Sequence, residues 1–295
     1  TVTVTGVTNG SSTITVNFVP TNTKNYNNAV AKTYTATILN SATIPTDSLC
    51  VSRTYNGNKQ NITSVTSGTG YTLKGYDQTD AGTHTITATL ASGYRWSDNT
   101  TGTKTFKCSI NKATPTIKFA TTSGSVTYHT GNGFGGNWIY SPVKVSGTVT
   151  LTSSNTNYVS IQENYVSTKV DSSTSQPAPN FTIVVNGVKA TSTPIPITVK
   201  FTPDNENFET VTETYNVTVN KATPTITLSE ESAWLSGSKT FTEKANVAGK
   251  FTNTSGTTSV ATVSPKSNST AVAANTAQTV TVTGVTNGSS TITVN

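Results

Sequence analysis

Seventeen residues, TVTVTGVTNGSSTITVN, begin the chain at Thr1–Asn17 and return unchanged at Thr279–Asn295, an offset of 278. A single compact fold has no use for one stretch at both ends, so an internal repeat has to be considered first. Two further repeats agree with it. NKATPTI occurs at Asn111–Ile117 and again at Asn220–Ile226, an offset of 109. The stretch ITVNFVPTNTKNYNNAVAKTYTATILN (Ile14–Asn40) shares a skeleton with ITVKFTPDNENFETVTETYNVTVN (Ile197–Asn220), matching Phe18 to Phe201, Pro20 to Pro203, Asn22 to Asn205 and Tyr34 to Tyr215. A small insertion separates the Pro from the Tyr in the first copy.

These offsets parse the chain into four segments. Residues 112–220 form one whole domain, opening on KATPTI and closing on ETYNVTVN. A second copy opens at Lys221 with the same KATPTI, and residues 221–295 make its N-terminal part. Its ending has the sequence found at residues 1–40, which read as the C-terminal half of such a domain. Residues 41–111 are a different module. The expectation is one period of a tandem array, 278 residues long, in which the next repeat completes 221–295 with the equivalent of 1–40.

Composition sets the class of each segment. Hydrophobic residues are 33% and charged residues 11% of the chain, against roughly half and a quarter in ordinary globular proteins. Threonine supplies about a fifth of the residues. It is β-branched and suits a strand with one face in water, so several thin β-cores are expected rather than one large core. Stretches such as STITVNF and HTITATL alternate polar with apolar residues, and helical periodicity is nowhere sustained. The Asn-Gly inside TVTVTGVTNGSSTITV, between two alternating runs, predicts a hairpin. Turn signals recur about every ten residues, as in β-sandwiches.

Charge and targeting narrow the function classes. The net charge is +6 and the pI about 9.2, yet the bases are scattered singly, as at Lys59, Lys74, Lys104, Lys107, Lys112, Lys221 and Lys250. Nucleic-acid binders cluster such residues with aromatics on one face, so the charge reads as solvated surface. No run approaches the ~20 apolar residues of a membrane span. Met is absent and no basic-then-apolar start resembles a signal peptide, so the chain is expected to be a mature or internal segment.

The repeats also carry a resemblance. KATPTI, the segments SSNTNYVSI and TSGTTSVATV, and the ITVxFxP strand resemble bacterial immunoglobulin-like repeats of surface proteins. Within Ser41–Asn111, TYNGNKQ, GYTLKG, AGTHTITATLASGYRWSDNT and the following KTFKCSINKA are similar to the YGX-type mostly-β repeat of large gut-bacterial surface proteins. Together the two cover essentially the whole chain. They imply an all-β protein of tandem immunoglobulin-like β-sandwich modules in an elongated array, outside the cell on a bacterial surface, in rods, stalks and adhesins.

The candidate sites are few. Cys50 and Cys108 fall near the two ends of the middle module. An even count in an exported protein favours a disulfide, while two buried thiols, or a metal site, stay open. Cys108 alternates in phase with the apolar Phe106 and Ile110, whereas Cys50 is out of phase with Leu49 and Val51. In HTGNGFGGNWIYSP (His129–Pro142), four glycines flank Phe134, Trp138 and Tyr140, which reads as a loop. Its aromatics are suited either to contact with glycan or protein or to packing on the loop's own sheet or the next domain. Trp96 and Trp234 are expected to pack in a core or rim.

Chemistry finds little support. His84 and His129 lie in different modules, so a Ser/His/Asp triad would have to cross a boundary. Asp77 and Asp80 lack the D-x-D-x-D-G spacing of a calcium loop and read as turn residues, and Glu230–Glu231 reads as a loop. Lys112, Lys221 and Gln60 are the nearest candidates for the isopeptide or ester crosslinks of some wall-anchored rods, but no motif places a buried acid beside them. The sequence therefore predicts no enzyme, no metal and no cofactor. It predicts a structural repeat unit of a surface fibre or adhesin stalk, each module spanning roughly 30–40 Å at strand rise. Its partners would be adjacent repeats of the same chain. The alternatives are an adhesive module binding host glycan or glycoprotein, a self-assembling extracellular filament built from copies of itself, and a phage virion fibre.

Overall fold

The computed structural model describes residues 1–174 and 180–295. Strands make up 52% of the chain and no α-helix occurs among the described residues. Two short 3-10 turns, Asp47–Leu49 and Glu163–Tyr165, are the only helical elements described. This follows from the Thr- and Val-rich alternation, which offers a half-buried pleated surface and no apolar stripe of period 3.6. The chain divides into two compact units, Thr1–Asn220 and Lys221–Asn295.

The first unit has three parts. At its start, strand Gly10–Val16 pairs antiparallel with Lys32–Ile38, placing Ile14 opposite Tyr34 and Val16 opposite Lys32. Residues 41–111 then build a five-stranded sheet, in spatial order Arg53–Thr54, Lys104–Asn111, Gly82–Leu90, Tyr71–Lys74 and Ser67–Gly68. Ile62, Leu73, Ile86, Trp96, Phe106 and Ile110 fill its core. Trp96 is fully buried, its indole N–H donates to the Gly102 carbonyl, and its ring lies 5.6 Å from that of Tyr71. Gly75 adopts φ +80° where a Cβ would meet the Thr85 carbonyl oxygen at 2.7 Å, so both conformation and space call for glycine there.

In residues 112–220 the strand path runs Ser123–Thr127, Val211–Asn220, Thr191–Pro203, Ser146–Ser153, Ser167–Ser173, Gly131–Tyr140, Phe181–Gly187 and Val159–Ile161, with Thr116–Lys118 beside Gly131–Tyr140. Alternate residues of these strands meet in one core that includes Ile139, Val149, Ile183, Ile197, Phe201 and Tyr215. The arrangement is consistent with a β-sandwich.

The second unit repeats part of this plan. Ile226–Leu228, Ser238–Ala245, Gln278–Gly284 and Ala261–Ser264 form a four-stranded sheet, and Asn253–Ser255 pairs with Ile292–Val294 in a separate two-stranded one. Its main apolar cluster is small: Ala261, Val263, Val280 and Val282, with Phe241 and Ile292 half-buried against it.

The hairpin expected around the Asn-Gly of TVTVTGVTNGSSTITV does not form in either copy. In the second unit the run Gln278–Gly284 pairs with Ser238–Glu243 and Ala261–Ser264, while Ile292–Val294 joins the other sheet through Asn253–Ser255. In the first copy Gly10–Val16 pairs with Lys32–Ile38. In the second unit the two runs pair into different sheets, so the connection Val285–Thr291 passes between sheets, and tertiary pairing overrides the local turn signal.

Candidate interaction surface

The repeat can be compared residue by residue. Ile197 stands opposite Tyr215, and Val199 opposite Glu213. In the first copy, Ile14 stands opposite Tyr34 and Val16 opposite Lys32. The register is the same although the first connection is longer. The environments are opposite. Val199, Phe201 and Tyr215 are wholly buried, whereas Val16, Phe18 and Tyr34 are 52%, 64% and 61% exposed. Matching residues are thus buried in one copy and exposed in the other.

Within the second unit the complementary feature is a gap. The same registers fix the equivalences. Ile226 opposite Ala245 corresponds to Ile117 opposite Ile139, Phe241 opposite Val280 to Phe134 opposite Ile183, and Asn253 opposite Val294 to Leu151 opposite Val199. Three groups surround Tyr215 in residues 112–220. Phe134 and Phe119 lie 5.3 and 5.6 Å from its ring, and Ile197 faces it across the ladder. Their counterparts in the second unit are Phe241, Leu228 and Ile292, and all three line an open groove of about 760 Å³. No strand corresponding to Val211–Asn220 occupies it.

The consequences extend along that edge. Ser123–Thr127 is a strand because it pairs in parallel with Asn216–Asn220. The stretch at the same chain position in the second unit, Ser232–Ser236, forms no strand. Trp234 within it is 101% exposed, which corrects the expectation that it packs in a core or rim. A smaller cavity of about 330 Å³ is lined by Ile226, Ala245, Phe251, Val272 and Asn295. Phe251 corresponds to Val149, which stands opposite Phe201, so this cavity sits where Phe201 sits in the other copy.

Beside these gaps lies a buried polar pair. Glu243 is wholly buried and Asn253 is 3% exposed, and Asn253 Nδ2 donates to Glu243 Oε1 at 3.3 Å. Glu243 Oε2 and Asn253 Oδ1 have no hydrogen-bond partner among the described residues. Burial raises the Glu243 pKa above its ordinary value, and the Asn253 bond only partly opposes this. Sequence reasoning missed the pair. Glu243 sits unremarkably in the alternating run SKTFTEKA, and only the fold brings Asn253 to it.

The other expected sites resolve as follows. Cys50 and Cys108 form a disulfide with Cα atoms 5.4 Å apart. Their different strand phase is immaterial, because Cys50 caps the 3-10 turn Asp47–Leu49 and only Cys108 lies in a strand. The stretch read as a Gly-rich loop is strand Gly131–Tyr140, with a bulge between Phe134 and Asn137. Phe134 turns inward onto Tyr215, Trp138 is half-buried, and Tyr140 is exposed. The three aromatics therefore do not form one exposed cluster.

The remaining polar candidates have local partners. His84 bonds the Asp80 carbonyl at 2.8 Å, Asp77 pairs with Lys59 at 3.1 Å, and Gln60 donates to the Thr54 carbonyl. Lys112 and Lys221 are exposed. Among the described residues no group of three His, Cys, Asp or Glu is placed to hold a metal, and no helix is long and apolar enough to cross a membrane.

One junction within the first unit is well built. Asn207 accepts from the Ala81 amide at 2.6 Å and donates to Asp80 Oδ1 at 2.9 Å. Tyr55 meets Phe208 edge-on at 5.2 Å, and the Ala113 amide donates to the Asn207 carbonyl. The linker NKATP is thus held from both sides.

No protein-family model matches the chain, and no curated protein matches it. Among solved structures it is similar to Escherichia coli alpha-2-macroglobulin activated by porcine elastase, with 7% identity over 93% of this chain and 26% of that one. The TM-score is 0.21, and the chain spans about a quarter of that protein's length. A likeness of that extent assigns neither fold nor function.

Proposed function

We propose that this chain is a structural repeat unit, of period 278 residues, in an extracellular bacterial surface fibre or adhesin stalk built of immunoglobulin-like β-sandwich modules. One observation carries the reading: the ladder of Ile14 with Tyr34 repeats that of Ile197 with Tyr215, yet its apolar face is bare where the other is buried. A strand pair of that kind belongs against a partner, and the repeat supplies one in the groove of Lys221–Asn295. Function then consists of reach and mechanical persistence. Repetition sets length, the Cys50–Cys108 disulfide and the Asn207 junction resist extension, and Thr-rich faces keep the rod soluble and its edges unattractive.

The adhesive reading has less support, since Phe134 is drawn into packing on Tyr215. Electron microscopy of chains carrying one, two and three periods tests the stalk. Contour length should grow by a constant increment per period, on the order of 100 Å for three modules. Images in which length does not scale with period number count against it.

A further inference from the structure

We propose that Glu243 and Asn253 are the acid and the amide of a self-crosslinking site, at which the lysine standing at the Lys32 position of the following repeat forms an amide bond through its Nζ to Asn253 Cγ. The inference rests on the repeat-unit reading, in which that repeat completes residues 221–295, and adds to it a covalent bond within the completed domain. The lysines at the two KATPTI entries, Lys112 and Lys221, are exposed. The buried acid that such a bond needs lies instead at Glu243.

The two groups are held for this chemistry. Glu243 is wholly buried and Asn253 is 3% exposed. Asn253 Nδ2 donates to Glu243 Oε1 at 3.3 Å and to the Pro265 carbonyl at 3.1 Å. Those bonds fix the amide with its nitrogen toward the acid, and they leave Asn253 Oδ1 and Glu243 Oε2 without partners among the described residues. A buried acid and a buried amide that each keep one bare oxygen lack a donor. Burial also favours the neutral form of Glu243, and it favours the neutral amine of a lysine brought beside it for the same reason.

The ladders bring a lysine within reach. Val294 stands opposite Asn253, Val16 stands opposite Lys32, and Val294 repeats Val16. Residues 112–220 supply the same row in a complete domain: Leu151, Val199 and Glu213 on neighbouring strands. The row in the completed second domain is therefore Asn253, Val294 and the lysine, all on one face. Two strand spacings, each about 4.8 Å, separate the lysine from Asn253, and only the short Val294 lies between, so an extended lysine reaches Asn253 Cγ. The neutral amine adds to Cγ, the Cγ–Nδ2 bond breaks, one proton passes from Nζ to Nδ2 through the Glu243 carboxyl, and ammonia leaves. One amide replaces another, so nothing is oxidised or reduced and no co-reactant is needed. The fold contributes fixed proximity and a buried carboxyl that relays the proton. In residues 112–220 the corresponding positions are Glu213, Leu151 and Asn137, which offer no amine, so that domain serves as an internal control.

The test uses the full 295-residue chain and a version extended after Asn295 by the sequence Phe18–Asn40. Intact mass is read after reduction of the disulfide, and hydrogen exchange is followed across Ile292–Val294. The extended chain should weigh one ammonia less than its sequence, and its digest should contain the added lysine joined to the Asn253 peptide. The unextended chain should show its full sequence mass. Replacing the added lysine by Arg keeps the charge but removes the amine, and should abolish the loss, as should Glu243→Gln. Protection across Ile292–Val294 in both variants shows that the strand still docks. If the extended chain gains that protection but keeps its full mass, the crosslink is wrong while the repeat reading stands. If it gains neither, the strand does not complete the domain and both readings fall. A loss of ammonia that persists in the Arg variant overturns the assignment of the site.

Discussion

Glu243 accepts a hydrogen bond from Asn253 at 3.3 Å between strands of two different sheets, and its second carboxylate oxygen has no partner among the described residues. Burial holds its folded-state pKa above the ordinary 4.5. For an acid shifted upward, the stabilising contribution is complete below the unfolded pKa and disappears as pH rises through the folded one. Residues 221–295 should therefore lose stability as pH rises from about 4.5 through that raised value. Glu243→Gln should flatten the dependence and stabilise the unit at pH 7 by about 1–2 kcal/mol. Hydrogen exchange of the amides of Ser238–Ser264 across this pH range, in the full chain, measures both effects.

The disulfide closes a loop with a sequence separation of 58. Chain-entropy arithmetic for a loop of that size is worth about 4 kcal/mol. In a module whose buried apolar cluster is as small as that of residues 41–111, reduction should bring unfolding of Gly82–Asn111 to much lower denaturant. Urea titration followed by Trp96 fluorescence, with and without reductant, checks this. Equal midpoints would sink the claim.

Phe134 and Tyr140 separate packing from contact. Phe134→Ala removes a ring seated on Tyr215 and should destabilise residues 112–220 by about 2–4 kcal/mol. Tyr140→Ala, at an exposed position, should cost under about 0.5 kcal/mol. Thermal unfolding of the two variants decides, and equal losses would mean the inward turn of Phe134 is misassigned.

At the junction, Asn207→Ala removes an acceptor from the Ala81 amide and a donor from Asp80 together. The expected result is faster exchange of the Ala81 amide, by roughly five- to 150-fold if about 1–3 kcal/mol is lost, with little change at Ile86. A uniform change across the sheet would indicate global destabilisation instead of a loosened joint.

Asp98 accepts from Lys104 Nζ at 2.6 Å and from the hydroxyl and amide of Thr100, and these bonds lower its pKa to about 2. A group lowered in this way contributes above its unfolded pKa and loses that contribution as pH falls toward 2. An NMR titration should find Asp98 ionised at pH 3, and Lys104→Ala should move its midpoint back toward the ordinary carboxylate value.

Much of the strand content was legible in the chain because threonine-valine alternation leaves a backbone few other ways to bury one face. The equivalence of Tyr34 with Tyr215 was legible as well, through the repeated skeleton. The phase of Cys108 was readable from Phe106 and Ile110. Other features were not. Asn-Gly promised a hairpin, yet in the second unit the flanking runs pair into separate sheets, and only the long-range ladders decide this. Trp234 was expected to pack in a core or rim, yet it is exposed on a stretch that forms no strand.

The sequence by itself determined the repeats, the alternation and the matching of one strand pair to another, since these are properties of residues near each other or identical in kind. Tertiary structure alone decided that Phe134 turns in on Tyr215, that Glu243 meets Asn253, and that Asn207 clasps Asp80 and Ala81. Each of those contacts joins residues on different elements, and no local periodicity records which faces the folded chain brings together.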